Sequence, residues 1–293
     1  MKFTTITTAA AMQKMKNFII ACPTEKLTYA KKRFQQLGYH SALEMSDEDI
    51  LSALKPNEHN MQAFIQQYEA VKDTPLIDLP LDTRLLNLSN SFINTAVPPA
   101  IELILATLDE NTPSPACISQ HISTHIDDLF NDREHLRKKL RLILSLIQQP
   151  ILQSEIIYTD LNTFRHIYQP ITSPDATESE ETYGLAFLDL MGVELCILIN
   201  QPCIELNARH TPKIAGFQNE FYLYTLLHEL THLLIGSNDD SYNTPTEETE
   251  DINLYSTANL KPHEIDNADN YCTLIFITLA LMHKRGYLDL TQF

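Results

Sequence analysis

The residues best suited to chemistry in this chain lie in one short segment, His228-Glu229-Leu230-Thr231-His232. Residues four apart on a helix share a face, so the two imidazoles can reach the same metal ion. Glu229 lies beside them, where a carboxylate can hold a water molecule on that ion and accept its proton. The spacing predicts a site for a single Zn²⁺ per chain, with His228 and His232 as ligands and Glu229 as the general base.

The residues around this motif predict that it lies on a buried helix. Residues 219–235 are mostly apolar, and Thr225, His228, Glu229 and His232 form one polar stripe at helical spacing. A surface helix shows the opposite balance of polar and apolar residues. Burial of two imidazoles and a carboxylate is costly unless they are paired or bind a metal ion. The alternative is a helix whose polar stripe faces solvent.

A zinc site also needs a third protein ligand and an open position for water. Gly236 follows the apolar run and is expected to end the helix in left-handed backbone, which turns the chain back toward the metal. Asp239 lies seven residues after His232, within reach of the ion across such a turn. Asp239 is therefore the candidate third ligand.

Three segments, in order, resemble the aspzincins, the deuterolysin and peptidyl-Lys metalloendopeptidase family of zinc metallopeptidases. The HExxH motif is followed by GSNDDSY at residues 236–242, which is similar to the family's GTxDxxYG. It is followed later by NADNY at residues 267–271, which is similar to the family's NAD(S/N)Y. Ser237 stands where the family has Thr, and Asn243 stands where it has Gly. The resemblance covers roughly residues 113–293.

The resemblance implies a zincin-like fold and an endopeptidase that hydrolyses a protein or peptide substrate through a zinc-activated water. By the same resemblance, His228, His232 and Asp239 would ligate the zinc ion and Glu229 would be the general base. Tyr242 would donate a hydrogen bond to the oxyanion of the tetrahedral intermediate, as a phenol can do.

The resemblance also implies two substrate-binding residues. In lysine-specific members, the acid of the NADxY segment and a second carboxylate three residues later hold a lysine after the cleaved bond. Here Asp269 is present, and the second position is Cys272. One turn of helix places both residues on the same face. We therefore expect cleavage that is not restricted to bonds before lysine.

Hydropathy patterns predict an α+β protein with two regions. Residues 1–110 are expected to form an all-α N-terminal region for docking a substrate or partner, and residues 111–293 a zincin-like metallopeptidase domain. This domain is predicted to be mostly helical with a small sheet that contains antiparallel strands. Its predicted elements are helices over 114–131, 132–149, 219–235 and 267–284, a strand over 154–159, and an antiparallel hairpin or meander over 184–191, 193–200 and 203–206.

Charge and cysteine content limit the partners and the compartment. The formal net charge is −17, from 21 basic and 38 acidic residues, which disfavours binding to nucleic acid or anionic membranes. The five cysteines are an odd number without a CxxC pair, which is typical of free thiols in a reducing compartment. No signal peptide and no apolar run long enough to span a membrane is recognised. We expect a cytoplasmic protein, or a bacterial effector injected into a host cell.

Two alternative functions remain open. A gluzincin-type peptidase would take its third ligand from a later glutamate, and the candidates are Glu247, Glu248, Glu250 and Glu264. A non-catalytic interaction protein on a peptidase scaffold would bind partners through residues 1–110. A second pair at the same spacing, His121 and His125, lacks the glutamate and lies among polar residues, which predicts a solvated helix face.

Overall fold

The computed structural model describes residues 1–37, 44–52, 66, 69, 83–109, 116–150, 152–163, 183–188, 195–237 and 267–293. The chain forms two compact units, each assembled from segments that are distant in sequence. Unit 1 contains Met1 and the ranges Arg84–Pro150 and Cys203–Phe293. Unit 2 contains Lys2–Thr83 and Ile151–Pro202.

Unit 2 is built on a four-stranded mixed sheet with strand order β1-β2-β4-β3. Strands β1, β2 and β4 run parallel, and β3 is antiparallel to β4. Ile156 on β2 is opposite Ile197 on β4, and both are fully buried. The strands are β1 (Lys2–Thr5), β2 (Gln153–Thr159), β3 (Gly184–Leu188) and β4 (Leu195–Asn200), and the helices of this unit are α1 (Thr8–Ile20) and α2 (Pro23–Leu37), with residues 47–52 also helical.

The prediction of an all-α N-terminal region was wrong at β1. Phe3 is buried while Lys2 is exposed, the two-residue alternation of a strand with one covered face. The Lys2 amide donates to the carbonyl of Leu152 at 2.9 Å, and β1 continues alongside β2. This four-residue strand is stable only because its backbone hydrogen-bonds with β2, a segment about 150 residues away in sequence.

The predicted α+β class and the antiparallel pair are confirmed, but the meander is not. Strand β4 pairs in parallel with β2 on its other side, so the chain does not simply fold back and forth. Residues 203–206, predicted as a strand, lie in helix α7 (Gln201–Arg209). Pro202 occupies the first turn of that helix, where a missing N–H costs nothing and the fixed φ suits the helix.

Unit 1 is helical, and the four helices predicted between residues 114 and 284 are each confirmed to within a few residues. Asp132 is the N-cap of the second of these helices, since its carboxylate accepts from the amides of Glu134 and His135, both at 2.9 Å. These hydrogen bonds hold the pKa of Asp132 below its usual value. The helices are α3 (Thr83–Ser91), a π-helical turn (Phe92–Ala96), α4 (Val97–Leu108), α5 (Ala116–Leu129), α6 (Arg133–Ile147), α7 (Gln201–Arg209), α8 (Glu220–Ile235) and α9 (Ala268–Lys284).

Helix α9 lies at the centre of unit 1 and packs against α8, α4 and α5. Helix α6 packs against both α4 and α8. The rings of Phe92, Phe217 and Phe276 lie about 6 Å from one another, measured between centroids, and fill the space between elements. Because α4 packs against α5, α6 and α9, residues before and after 110 share one core. The two units therefore do not follow the boundary expected between residues 110 and 111.

One helical stretch among the described residues, Thr83–Leu108, is long and apolar enough to cross a membrane by length and composition. Half of its most apolar window (50%) is buried inside the protein. Its second half is α4, which packs against three helices of unit 1. A core helix meets the same length and composition test, so the stretch is weak evidence for a membrane span.

Candidate metal centre

Helix α8, which carries the HExxH motif, is buried along its entire length. All 16 residues from Glu220 to Ile235 are buried. Its many Leu, Phe and Tyr side chains explain this position, since burial of each large apolar side chain contributes about 1.5–3 kcal/mol. The helix ends as predicted at Gly236, whose φ of 64° and ψ of 40° lie in the left-handed region that glycine adopts without steric cost.

The polar stripe of this helix is buried with it. The exposed fractions are 7% for Thr225, 8% for His228, 7% for Glu229 and 9% for His232. The alternative in which the stripe faces solvent is therefore wrong. Each of these groups must find its hydrogen-bond or charge partner inside the protein.

The two imidazoles direct the same ring nitrogen toward one point. His228 Nε2 and His232 Nε2 lie 3.1 Å apart. The ring centroids are 4.8 Å apart and the ring planes meet at 76°. Two nitrogens bound to one tetrahedral zinc ion at about 2.0–2.1 Å would be roughly 3.3 Å apart. The pair therefore has almost the separation that a shared zinc ion requires.

The other nitrogen of each ring faces an acceptor. His228 Nδ1 lies 2.8 Å from Asp269 Oδ1, and His232 Nδ1 lies 2.6 Å from the carbonyl oxygen of Ser237. A carbonyl or an ionised carboxylate has no proton to give, so both Nδ1 atoms act as donors. If both rings are neutral, the two Nε2 lone pairs face each other. That contact is repulsive unless a cation or an added proton lies between them.

Asp269 is held in place by residues of two helices. Tyr224 donates its hydroxyl hydrogen to Asp269 Oδ1 at 2.9 Å, and the same hydroxyl lies 3.1 Å from Thr273 Oγ1. Tyr224 is one turn before His228 on α8, and Thr273 is one turn after Asp269 on α9. Sequence reasoning did not identify Tyr224 or Thr273, although their one-turn spacing from His228 and Asp269 is the pattern of residues that share a helix face.

Cys203 on α7 also lies next to the polar stripe of α8, and sequence reasoning did not identify this contact. Its thiol is fully buried and hydrogen-bonded with Thr225. Burial raises the pKa of Cys203 to about 12, and the negative charge of Glu229 adds to the rise while the Thr225 hydrogen bond opposes it. The thiol is therefore neutral near neutral pH. No local pattern in the sequence indicates that Cys203 lies next to Thr225.

The remaining predicted ligands and the oxyanion donor lie outside the described residues. These are Asp239 and Tyr242, together with the alternative ligands Glu247, Glu248, Glu250 and Glu264. Within the described ranges, no group of three or more His, Cys, Asp or Glu side chains is arranged to hold a metal ion. A zinc site at His228 and His232 would therefore need a further ligand from outside these ranges.

The two predicted substrate-binding residues lie on α9 and are buried. Asp269 is 3% exposed and contacts His228, while Cys272 is fully buried. Both lie near the start of the helix, as expected, although the N-cap residue Asn267 makes no side-chain capping bond. The contact with His228 gives Asp269 a partner that sequence reasoning did not assign. Substrate binding by Asp269 and Cys272 stays a prediction.

The second histidine pair differs from the first in its surroundings. His121 is exposed and His125 is partly exposed on α5. The nearest acid to His125 Nδ1 in an ion pair is Asp128, at 3.9 Å. Partial burial lowers the pKa of His125, with Asp128 opposing and His121 adding to the effect. His121 agrees with the predicted solvated helix face, whereas His125 is only partly exposed.

Comparison of the chain with protein-family profiles, with characterised proteins and with solved structures finds no match. The functional assignment therefore rests on the residues and geometry of this chain and on the resemblance of three short segments.

The environment of Cys203 leads to a reactivity prediction. With a pKa near 12 and no exposed surface, the Cys203 thiol should resist iodoacetamide at pH 8, because alkylation requires an accessible thiolate. Cys22 is exposed and should react under the same conditions. Peptide mass spectrometry of native and urea-unfolded protein measures both sites. Modification of Cys203 as fast as Cys22 in the native protein would contradict this description of the interior.

Proposed function

We propose that this protein is a zinc-dependent endopeptidase, with His228 and His232 as zinc ligands and Glu229 as the general base. The observation that carries the proposal is the pair of Nε2 atoms 3.1 Å apart, in rings whose Nδ1 atoms both face acceptors. Two neutral imidazoles in these tautomers repel at that distance. A metal cation removes the repulsion and uses both lone pairs.

Charge in the surrounding core supports a cation at the same place. Asp269 is 3% exposed and contacts His228 Nδ1, and positive charge near an ionised carboxylate lowers the cost of its burial. Imidazole nitrogen suits zinc, copper, iron and nickel, and the HExxH pattern favours zinc among these. A zinc ion between the rings would accept a lone pair from each Nε2 atom and would balance nearby negative charge.

When bound, zinc polarises the peptide carbonyl and lowers the pKa of water. Glu229 adjoins His228 on α8, so its carboxylate is expected to take the proton from the attacking water as the oxygen bonds to the carbonyl carbon. The carbon–nitrogen bond then breaks, and Glu229 returns the proton to the leaving amine. Water is consumed, and the products are a carboxylic acid and an amine, which exchange a proton to give a carboxylate and an ammonium.

The resemblance to aspzincins completes the proposed site. Asp239 would be the third zinc ligand and Tyr242 the oxyanion donor, both outside the described residues. A zincin-like fold for residues 111–293 is part of the same proposal. The α+β class and the buried motif helix support it.

The cysteines support a reducing compartment for this activity. The five cysteines are an odd number without a CxxC pair, a pattern that is usual in cytosolic proteins. We therefore propose action in a cytoplasm, either that of the producing cell or that of a host cell into which an effector is delivered.

The first functional prediction concerns metal content. Elemental analysis should find about one zinc per chain, and His228→Ala or His232→Ala should remove most of it because each substitution deletes one of the paired nitrogens. His121→Ala and His125→Ala are matched controls, since they alter the other histidine pair at the same spacing. Full zinc occupancy in both His228→Ala and His232→Ala would place the metal elsewhere and overturn the assignment.

The same assay separates the proposal from its alternatives. Asp239→Ala should lose zinc if this residue is the third ligand. Retention of zinc in that variant, with loss in Glu264→Ala, would instead indicate a gluzincin-type site. Wild-type protein that binds no zinc would favour the non-catalytic interaction protein.

The second functional prediction concerns Glu229. Glu229→Gln should retain zinc and fold but lose activity by roughly 10²–10⁴-fold, because only the acceptance of the proton from water is removed. Profiling of new N-termini in a denatured lysate, with wild type and variant compared, provides the measurement without a known substrate.

Glu220→Gln is the matched control for this experiment. Glu220 is a fully buried glutamate on the same helix, accepting from His210 Nε2 at 3.0 Å and the Lys213 amide at 2.8 Å. The glutamine carbonyl can accept both hydrogen bonds, so cleavage should persist. Equal cleavage by Glu229→Gln and wild type would contradict the general-base role.

A further inference from the structure

We propose that Asp269 is a positioning residue for His228, which sets the tautomer that directs Nε2 toward the metal. The inference rests on the proposed zinc site and concerns a residue for which the family resemblance implies a different task. Instead of holding a lysine of the substrate, Asp269 would prepare a zinc ligand.

The contact is built from both helices that meet at this point. Asp269 Oδ1 accepts from His228 Nδ1 at 2.8 Å and from the Tyr224 hydroxyl at 2.9 Å. Tyr224 and His228 are one turn apart on α8, so two adjacent side chains of that helix converge on a single oxygen of α9. Thr273 extends the chain of hydrogen bonds by its contact of 3.1 Å with the Tyr224 hydroxyl.

This arrangement determines which nitrogen of His228 is available. A neutral imidazole carries its proton on either nitrogen, and only the Nδ1–H form leaves Nε2 free to bind a metal. An ionised carboxylate accepts and cannot donate, so its contact with Nδ1 selects that form. A carboxylate behind a ligating histidine also raises the basicity of the imidazole as a ligand.

The same contact argues against a role for Asp269 in binding a lysine side chain of the substrate. Its side chain is 4% exposed, and Oδ1 already accepts from Tyr224 and His228, so a substrate ammonium would have little access to this carboxylate. Cys272, the second predicted pocket residue, has no exposed surface. We infer that residue preference at the cleaved bond does not come from Asp269.

Zinc affinity distinguishes this role from a purely structural one. In Asp269→Asn, the amide can donate to Nδ1 and so permits the wrong tautomer. Competition with a chromogenic chelator should show zinc dissociation constants about 10–100-fold higher than in wild type. Glu220→Gln is the matched control, because it alters another buried carboxylate that also accepts from a histidine; its zinc affinity should equal that of wild type. Circular dichroism verifies the fold of each variant.

A measurement on the wild-type chain keeps the proposal testable if Asp269→Asn does not fold. Nitrogen-15 NMR of histidine-labelled protein should show a protonated Nδ1 at His228 in both zinc-loaded and metal-stripped protein. An unprotonated Nδ1 in either state would overturn the positioning role.

The outcomes separate the two proposals. If wild type binds no zinc, the proposed function fails, and the role of Asp269 fails with it. If wild type binds zinc and Asp269→Asn binds it equally tightly, only the inference about Asp269 fails. Unchanged residue preference in N-terminal profiling of Asp269→Asn is expected, and a changed preference would instead support the substrate-binding role.

Discussion

A buried helix that carries a stripe of polar side chains must supply each of them with a partner, because little of their surface is open to water. Helix α8 is such a helix, and this requirement determines what surrounds it in unit 1. The first turn of α9 brings Asp269 to His228. The residue after Gly236 brings a carbonyl to His232. Helix α7 brings a thiol to Thr225. Three separate elements therefore meet around one stripe.

These partners also fix the orientation of the His228 and His232 imidazoles. With acceptors at both Nδ1 atoms, the two Nε2 atoms are left facing each other. The end of α8 is held as well, because Lys139 Nζ on α6 donates to the carbonyl of Ile235 at 2.9 Å. That contact precedes the left-handed turn at Gly236, from which Ser237 reaches back to His232. Where so little surface is exposed, electrostatic interactions are stronger than in water.

The local features of this site could be predicted from sequence, whereas its long-range contacts could not. Apolar periodicity located α8 and α9, and Gly236 marked a helix end, because these signals lie within a few residues of one another. The contact between His228 and Asp269 joins residues 41 apart in sequence, and no local pattern encodes it. Asp269 could be placed in the first turn of its helix but not against an imidazole.

The fold shows the same distinction. Strand β1 depends on pairing with β2 about 150 residues later, so a reading of residues 1–110 by themselves expected only helices. Residues 203–206 were expected to extend a sheet because they follow two β-rich runs, and so short a segment does not distinguish a strand from a helix. The expected boundary at 110 followed proline and polar content, yet α4, which precedes it, packs against three helices that follow it. Tertiary packing overrides local composition in each case.

The central claim is that His228 and His232 share a metal ion through Nε2, and ¹¹³Cd substitution tests it most directly. Cadmium takes the place of zinc as an NMR-active probe, and nitrogen-15 labels on histidine report which ring atoms bind it. We predict one-bond cadmium–nitrogen coupling to Nε2 of both His228 and His232, with Nδ1 of both rings still protonated. Cadmium bound with coupling to neither residue, or a protein that binds none while one ring carries an extra proton, would contradict the claim.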